Sequence, residues 1–127
     1  MNGEIPDDLA KLEPQKLNDV AGTKGKEFAK NIRVSQIRNI YSAITRIRNE
    51  YQRSGKRFDA VHRRLVLLRP RLAYAAGRNP EVKPFQELFD EAIEAVLRST
   101  KKNEALENFF ALAEAVVAYH KFYGARD

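Results

Sequence analysis

An all-α fold, a single-domain bundle of about five helices joined by short loops, is what this 127-residue sequence predicts. Apolar residues recur at intervals of three and four through most of the chain, and no stretch shows the alternation of two that a strand needs. The breaks between these periodic stretches are short and rich in Pro, Gly or Ser/Thr, as helix–helix connections are. The length suffices to bury roughly two-thirds of the unfolded chain's surface, so the core needs no staple. The chain has no cysteine, which excludes disulfides, thiol catalysis and thiolate metal sites.

Residues 1–23 read as a loosely ordered N-terminal arm, with Leu9, Leu12, Leu17 and Val20 scattered among acids, amides, Pro6, Pro14, Gly3 and Gly22. The bundle is expected over residues 24–127. The GTKGK stretch at Gly22–Lys26 superficially suggests a phosphate loop. It lacks the spacing that ends in Gly-Lys-Ser/Thr, and no strand precedes it, so it reads as a flexible lead into a helix. That helix runs from Lys24 to near Arg33 and carries Phe28, Ala29 and Ile32.

Ser35 has the chemistry of an N-cap for a long second helix. Behind it Ile37, Ile40, Tyr41, Ile44, Ile47 and Tyr51 draw one apolar stripe that ends before Gly55. Phe58, Val61, Leu65 and Leu68 mark a third helix, expected to stop or kink at Pro70. Pro70–Ala76 then reads as a separate short helix with Gly77 as its left-handed stop. Pro84 starts a helix with Phe85, Leu88, Phe89, Ala92, Ile93, Val96 and Leu97 on one face and Glu87, Asp90, Glu91 and Glu94 on the other. After a polar turn at Thr100–Asn103, the last helix carries Leu106, Phe109, Phe110, Ala113, Val116, Val117 and His120 as far as Gly124.

Charge is distributed unevenly. Between Arg33 and Arg78 twelve Arg and Lys stand against only Glu50 and Asp59, a balance of +10 in a chain whose net charge is +6. Lys56 is the one lysine among the twelve, and the planar guanidinium of the others suits phosphate oxygens and stacking on bases. The skew points to an anionic partner, with nucleic acid first. No recognition-helix signature, aromatic-rich sheet or zinc finger accompanies it, so phosphates rather than base edges are the expected contact. Tyr41, Tyr51, Tyr74 and Tyr119 have rings that can stack on bases, although Tyr41 and Tyr51 fall on the apolar stripe.

Catalysis is not visible. The acidic row on the fourth helix lacks the Glu-x-x-His pairing of di-metal bundles, and reads as a solvated face or a surface for another subunit. His62 and His120 read as packing or surface residues. No serine has a Gly-x-Ser-x-Gly setting. No cofactor is expected. With neither a signal-peptide pattern nor an apolar run of membrane-spanning length, a soluble cytoplasmic protein is expected.

Three stretches converge on a known family: Ser35-Gln36-Ile37-Arg38, the nonapeptide PRLAYAAGR at Pro70–Arg78, and Ala118-Tyr119-His120-Lys121-Phe122. Over roughly residues 28–124 the chain resembles the small subunit of type III-A CRISPR-Cas effector complexes, the Csm complexes. The resemblance implies a non-catalytic helical protein stacked in several copies along a ribonucleoprotein filament. Its partners would be target RNA, the crRNA–target duplex, the crRNA backbone subunits, the large subunit and further copies of itself. A homodimer of the isolated chain, with helices exchanged about the Gly55 turn, would suit such a stacking subunit. The resemblance carries an RNA-binding role onto Arg38, Arg71 and Arg78, then onto Ser35 and Gln36, whose free backbone N–H groups at a helix N-terminus can receive a phosphate. Charge alone adds Arg33, Arg46, Arg48, Arg53, Lys56 and Arg57. Leu72–Gly77 would serve tight packing, and Tyr119–Phe122 would close the bundle or meet a neighbour. A general nucleic-acid-binding helical protein, or a helical adaptor outside CRISPR, fits the same charge pattern.

Overall fold

The computed structural model describes residues 4–127, and all of its regular structure is helical. The α-helices are α1 (Pro14–Ala29), α2 (Val34–Arg53), α3 (His62–Arg78), α4 (Lys83–Arg98) and α5 (Lys102–Phe122), with three single-turn helices at Leu9–Lys11, Phe58–Ala60 and Pro80–Val82. Helix α5 is the axle of the bundle, since α1, α2, α4 and two of the single turns all pack on it. Its sequence explains why: Ala105, Leu106, Phe109, Phe110, Leu112, Ala113 and Val116 are all buried and spread over more than one face. Rings from four helices pack edge to face or tilted through the core. Phe28 of α1 meets Phe85, Phe85 meets Phe89, Phe89 meets Phe109, and Phe110 meets Tyr51 of α2, at centroid separations of 4.6–6.2 Å.

The first helix starts at Pro14 and not at Lys24. Proline tolerates the first helical position because its missing N–H would have no partner there. The preceding segment is held as well: Ile5, Leu9 and Leu12 are buried, Asp8 Oδ1 accepts from Ala10 N at 3.0 Å, and Asn108 Nδ2 donates to the Leu9 carbonyl at 2.9 Å. Of the expected loose arm, residues 4–23 are therefore part of the packed bundle, and Met1–Gly3 lie outside the described residues. The two glycines of GTKGK sit inside α1, and Gly25 lets α5 come close. A Cβ on Gly25 would lie 2.5 Å from Tyr119 Cβ and 2.9 Å from the His120 nitrogen. Glycine there costs roughly 1 kcal/mol of helix propensity, and only the missing Cβ permits the contact.

Pro70 does not break α3, which continues to Arg78. The proline forfeits one backbone hydrogen bond at a cost of about 3 kcal/mol. Set against this, Leu65, Leu68 and Leu72 are buried as one stripe across the proline, each contributing about 1.5–3 kcal/mol. Arg69, the residue whose helical geometry proline disfavours, is held by three hydrogen bonds to α4. Gly77 is thus an interior helical residue without positive φ, and Asn79 caps the helix. Gly124 does take the left-handed conformation (φ +92°) and ends α5 as expected. No helix among the described residues is long and apolar enough to cross a membrane.

Candidate nucleic-acid interface

Helices α2 and α3 lie side by side, and their outer flanks frame a groove. On α2, Ser35, Asn39 and Arg46 recur at four and seven residues. On α3, Arg71, Tyr74 and Arg78 recur at three and four, so each set occupies one side of its helix. Together with Gln36 and Asn79 they line a hollow of about 890 Å³ that contains no carboxylate. A second hollow of about 630 Å³ continues it, walled by Arg46, Arg63, Arg64 and Arg71 over the apolar floor of Ala43, Ile47 and Leu68. Arg46 and Arg71 border both. Among the described residues no carboxylate forms an ion pair with Arg46, Arg63, Arg71 or Arg78, while Arg64 approaches Glu50 at 3.9 Å. Guanidinium groups from two helices therefore converge on one track with their donors available.

Of the residues singled out from sequence, this track unites Arg46, Arg71, Arg78, Ser35 and Gln36. It does not include Arg38, which is exposed and borders neither hollow. Arg48, also outside the track, pairs with Glu114 of α5 at 3.5 Å. Arg53 is 3.1 Å from Glu50, and Lys56 is 3.9 Å from Glu107. Lys56 and Arg57 border a separate hollow beside Phe58 and His62.

The start of α2 also differs from expectation. Arg33, not Ser35, is the N-cap. The Gln36 side chain turns back to accept from Arg33 N at 2.8 Å, and its Nε2 donates to Glu81 at 2.6 Å. Val34 N donates to the Arg126 carbonyl at 2.7 Å, and the Ser35 hydroxyl lies 3.5 Å from the Asp127 carbonyl oxygen. The helix start is thus capped by the chain's own C-terminus. Glu81 is held below the usual carboxylate range, by its backbone N–H first, then by Gln36 and the nearby Arg33 charge.

Arg69 has a different role from its neighbours. Its Nε and Nη2 grip both oxygens of Asp90 at 2.8 and 3.1 Å, and Nη1 reaches Glu94 at 2.8 Å. The bonds to Asp90 above all hold the guanidinium still more firmly in its charged form. Two members of the acidic row on α4 are therefore intrachain partners and not merely solvated. Among the described residues no cluster of His, Asp and Glu could hold a metal ion.

The nonapeptide divides by face. Leu72 is buried, Ala75 and Ala76 are half-buried, whereas Tyr74 is 69% exposed and does not serve packing. In the third stretch, Tyr119 donates its hydroxyl to Asn18 at 2.7 Å, and His120 is buried with Nε2 2.7 Å from the Ile32 carbonyl. Both tie α5 to the α1 region, while Phe122 is 75% exposed. Sequence reasoning passed over Asn39, Arg63, Arg64 and Asn79. A legible signal for part of this was the seven-residue recurrence of Arg64, Arg71 and Arg78, which puts one arginine every two turns along one side of α3.

The family model described as Csm2 Type III-A matches residues 11–126. A CRISPR system Cms protein Csm2 from Streptococcus thermophilus is 39% identical over 95 residues, covering 73% of this chain and 74% of that protein. Its namesake from Enterococcus italicus is 28% identical over 119 residues, covering 91% and 84%. No solved structure matches the chain. With almost the whole helical bundle inside the family match, the chain belongs to the Csm2 family, the small subunits of type III-A Csm complexes.

Proposed function

We propose that this subunit is non-catalytic and holds target RNA, alone or paired with the guide, by its sugar-phosphate backbone along the α2–α3 groove. The observation that carries the reading is the convergence of Arg46, Arg71 and Arg78 on one hollow that no carboxylate lines. Arg63 and Arg64 extend the track. The groove offers charge and fork-shaped donors but no helix or ribbon shaped to enter a base-bearing groove, which suits a partner whose sequence changes with every guide. Ser35 stands at the rim as a neutral donor, while Gln36 shapes the rim through its bonds to Arg33 and Glu81. Arg38, Arg48, Arg53, Lys56 and Arg57 line neither hollow of the track, and Arg48, Arg53 and Lys56 are paired with carboxylates of their own chain. In an assembled Csm complex several copies would stack along the filament, so that the grooves continue one another beside the crRNA backbone subunits and the large subunit.

Filter-binding titrations of the full chain with unrelated single-stranded RNAs of equal length, repeated across salt concentrations, test this. Affinity should be alike for every sequence and should fall with salt at a log–log slope near −0.7 per phosphate held, about −3 for four arginines. A slope near zero, or strong preference for one sequence, would overturn the backbone-binding reading.

A further inference from the structure

Tyr74 is out of place for a residue that only packs. Its side chain emerges from α3 between Arg71, three residues before it, and Arg78, four after it, on the same side of the helix. It is 69% exposed, and among the described residues it makes no ring contact, cation–π contact or hydrogen bond. The other large exposed aromatics, Phe122 and Tyr123, lean on each other at 5.0 Å. Leaving a ring this size in water forgoes the burial that most aromatics find, so its position inside an acid-free arginine groove calls for a partner with a flat apolar face and negative flanks.

We infer that Tyr74 is a stacking platform for one unpaired nucleobase of the RNA strand that the groove holds, with Arg71 and Arg78 on the phosphates to either side. This rests on the groove reading given above and narrows its substrate. The span from Arg71 to Arg78 is about 10 Å of helix axis, close to the rise of three stacked nucleotides at 3.4 Å each. A base that leaves its stack at the centre of such a segment meets the ring, while its neighbours' phosphates meet the guanidinium groups. Every base has a π face, so the contact adds affinity without reading sequence. A continuous duplex hides those faces and would use the arginines alone. A second copy of this chain is the less suitable occupant, because a two-fold contact at this surface would set arginine against arginine.

The test compares wild type, Tyr74→Phe, Tyr74→Ala and Arg71→Ala/Arg78→Ala on three probes: a single-stranded RNA, an abasic strand of equal length and a blunt RNA duplex. Tyr74→Ala should weaken binding to the single strand about tenfold and leave the abasic strand and the duplex within twofold of wild type. Tyr74→Phe should stay within twofold on all three, and the arginine pair should weaken all three. Equal single-strand affinity for Tyr74→Ala and wild type, with the arginine pair still impaired, overturns the stacking role and leaves the groove reading standing. Loss on all three probes accompanied by a change of oligomeric state in light scattering overturns it in favour of a self-association contact. Failure of wild type to bind any probe overturns both readings.

Discussion

The two sides of α3 use the same side chain for opposite purposes. Arg69 and Arg71 are two positions apart, roughly 200° around the helix, so they look out on different neighbours. Arg69 faces α4, where Asp90 and Glu94 stand one turn apart and close on it with three hydrogen bonds. Arg71 faces α2, whose adjoining flank offers Ser35, Asn39 and Arg46 but no acid. An arginine clasped by its own chain is a strut, and one with no intrachain carboxylate keeps its charge for a ligand. Counting basic residues cannot tell these apart. What separates them is the charge on the helix that happens to pack alongside.

The largest expected effect comes from emptying the open side. Replacing Arg46, Arg71 and Arg78 together by Ala should reduce RNA affinity on the order of a hundredfold, at about 1 kcal/mol per lost phosphate contact, and shallow the salt slope by about 2. Circular dichroism and the urea midpoint should stay at wild-type values, because none of the three is buried. A clear drop in the midpoint would show that the open arginines are structural after all, and the division between the two sides would collapse.

Emptying the closed side should do the reverse. Arg69→Met keeps the aliphatic stem over α4 but leaves Asp90 without its partner, one turn from Glu94, which keeps only Arg98 at 3.4 Å. Urea unfolding should register a loss of about 1–2 kcal/mol, the lower part of the range for charged hydrogen bonds, since all three side chains remain about a third exposed. RNA affinity should change by less than about twofold. A binding loss like that of the groove variant would show that Arg69 reaches RNA when the ligand is present.

The open side can also be made to resemble the closed one. Asn39→Asp sets a carboxylate on the α2 wall opposite Arg71 and Arg78, where it would compete with phosphate for the guanidinium groups. Affinity should fall about fivefold, with stability unchanged or raised by a few tenths of a kcal/mol. Unaltered affinity would mean that RNA passes Asn39 at a distance.

Apolar periodicity carried most of the fold. Ile37, Ile40, Ile44, Ile47 and Tyr51 are all buried on one stripe of α2, and the faces read for α4 and α5 point into the core with only Leu97 and Val117 left half-buried. The misread places are those where a local signal was overruled by a neighbour distant in sequence. Gly22 and Gly25 looked like flexibility, yet both lie inside α1, and Gly25 serves the close approach of Tyr119, more than ninety residues away. Pro70 looked like an end, yet the stripe through Leu68 and Leu72 and the clasp on Arg69 keep α3 whole. The arginine track was half legible for the same reason. Spacing puts Arg64, Arg71 and Arg78 on one side of their helix, but only packing decides that α2 presents Asn39 and Arg46 there, that Arg48 pairs with α5 instead, and that Arg38 lines neither hollow.

The smallest effect probes the boundary of the open side. Glu81 stands at the groove's end, bound to Gln36 and within the field of Arg33. As an exposed charge its influence travels through water and is screened over about 10 Å at 0.1 M salt. Glu81→Gln keeps a side chain able to accept from Gln36 Nε2 and removes only the charge. RNA affinity should rise, by about twofold at low salt and by less as salt increases, because one unit of local repulsion toward phosphate is gone. An affinity that falls would mean that the rim geometry held by the Gln36–Glu81 bond matters more than the charge it carries. The limit of the track would then be drawn by hydrogen bonding at the start of α2, and not by where its acids begin.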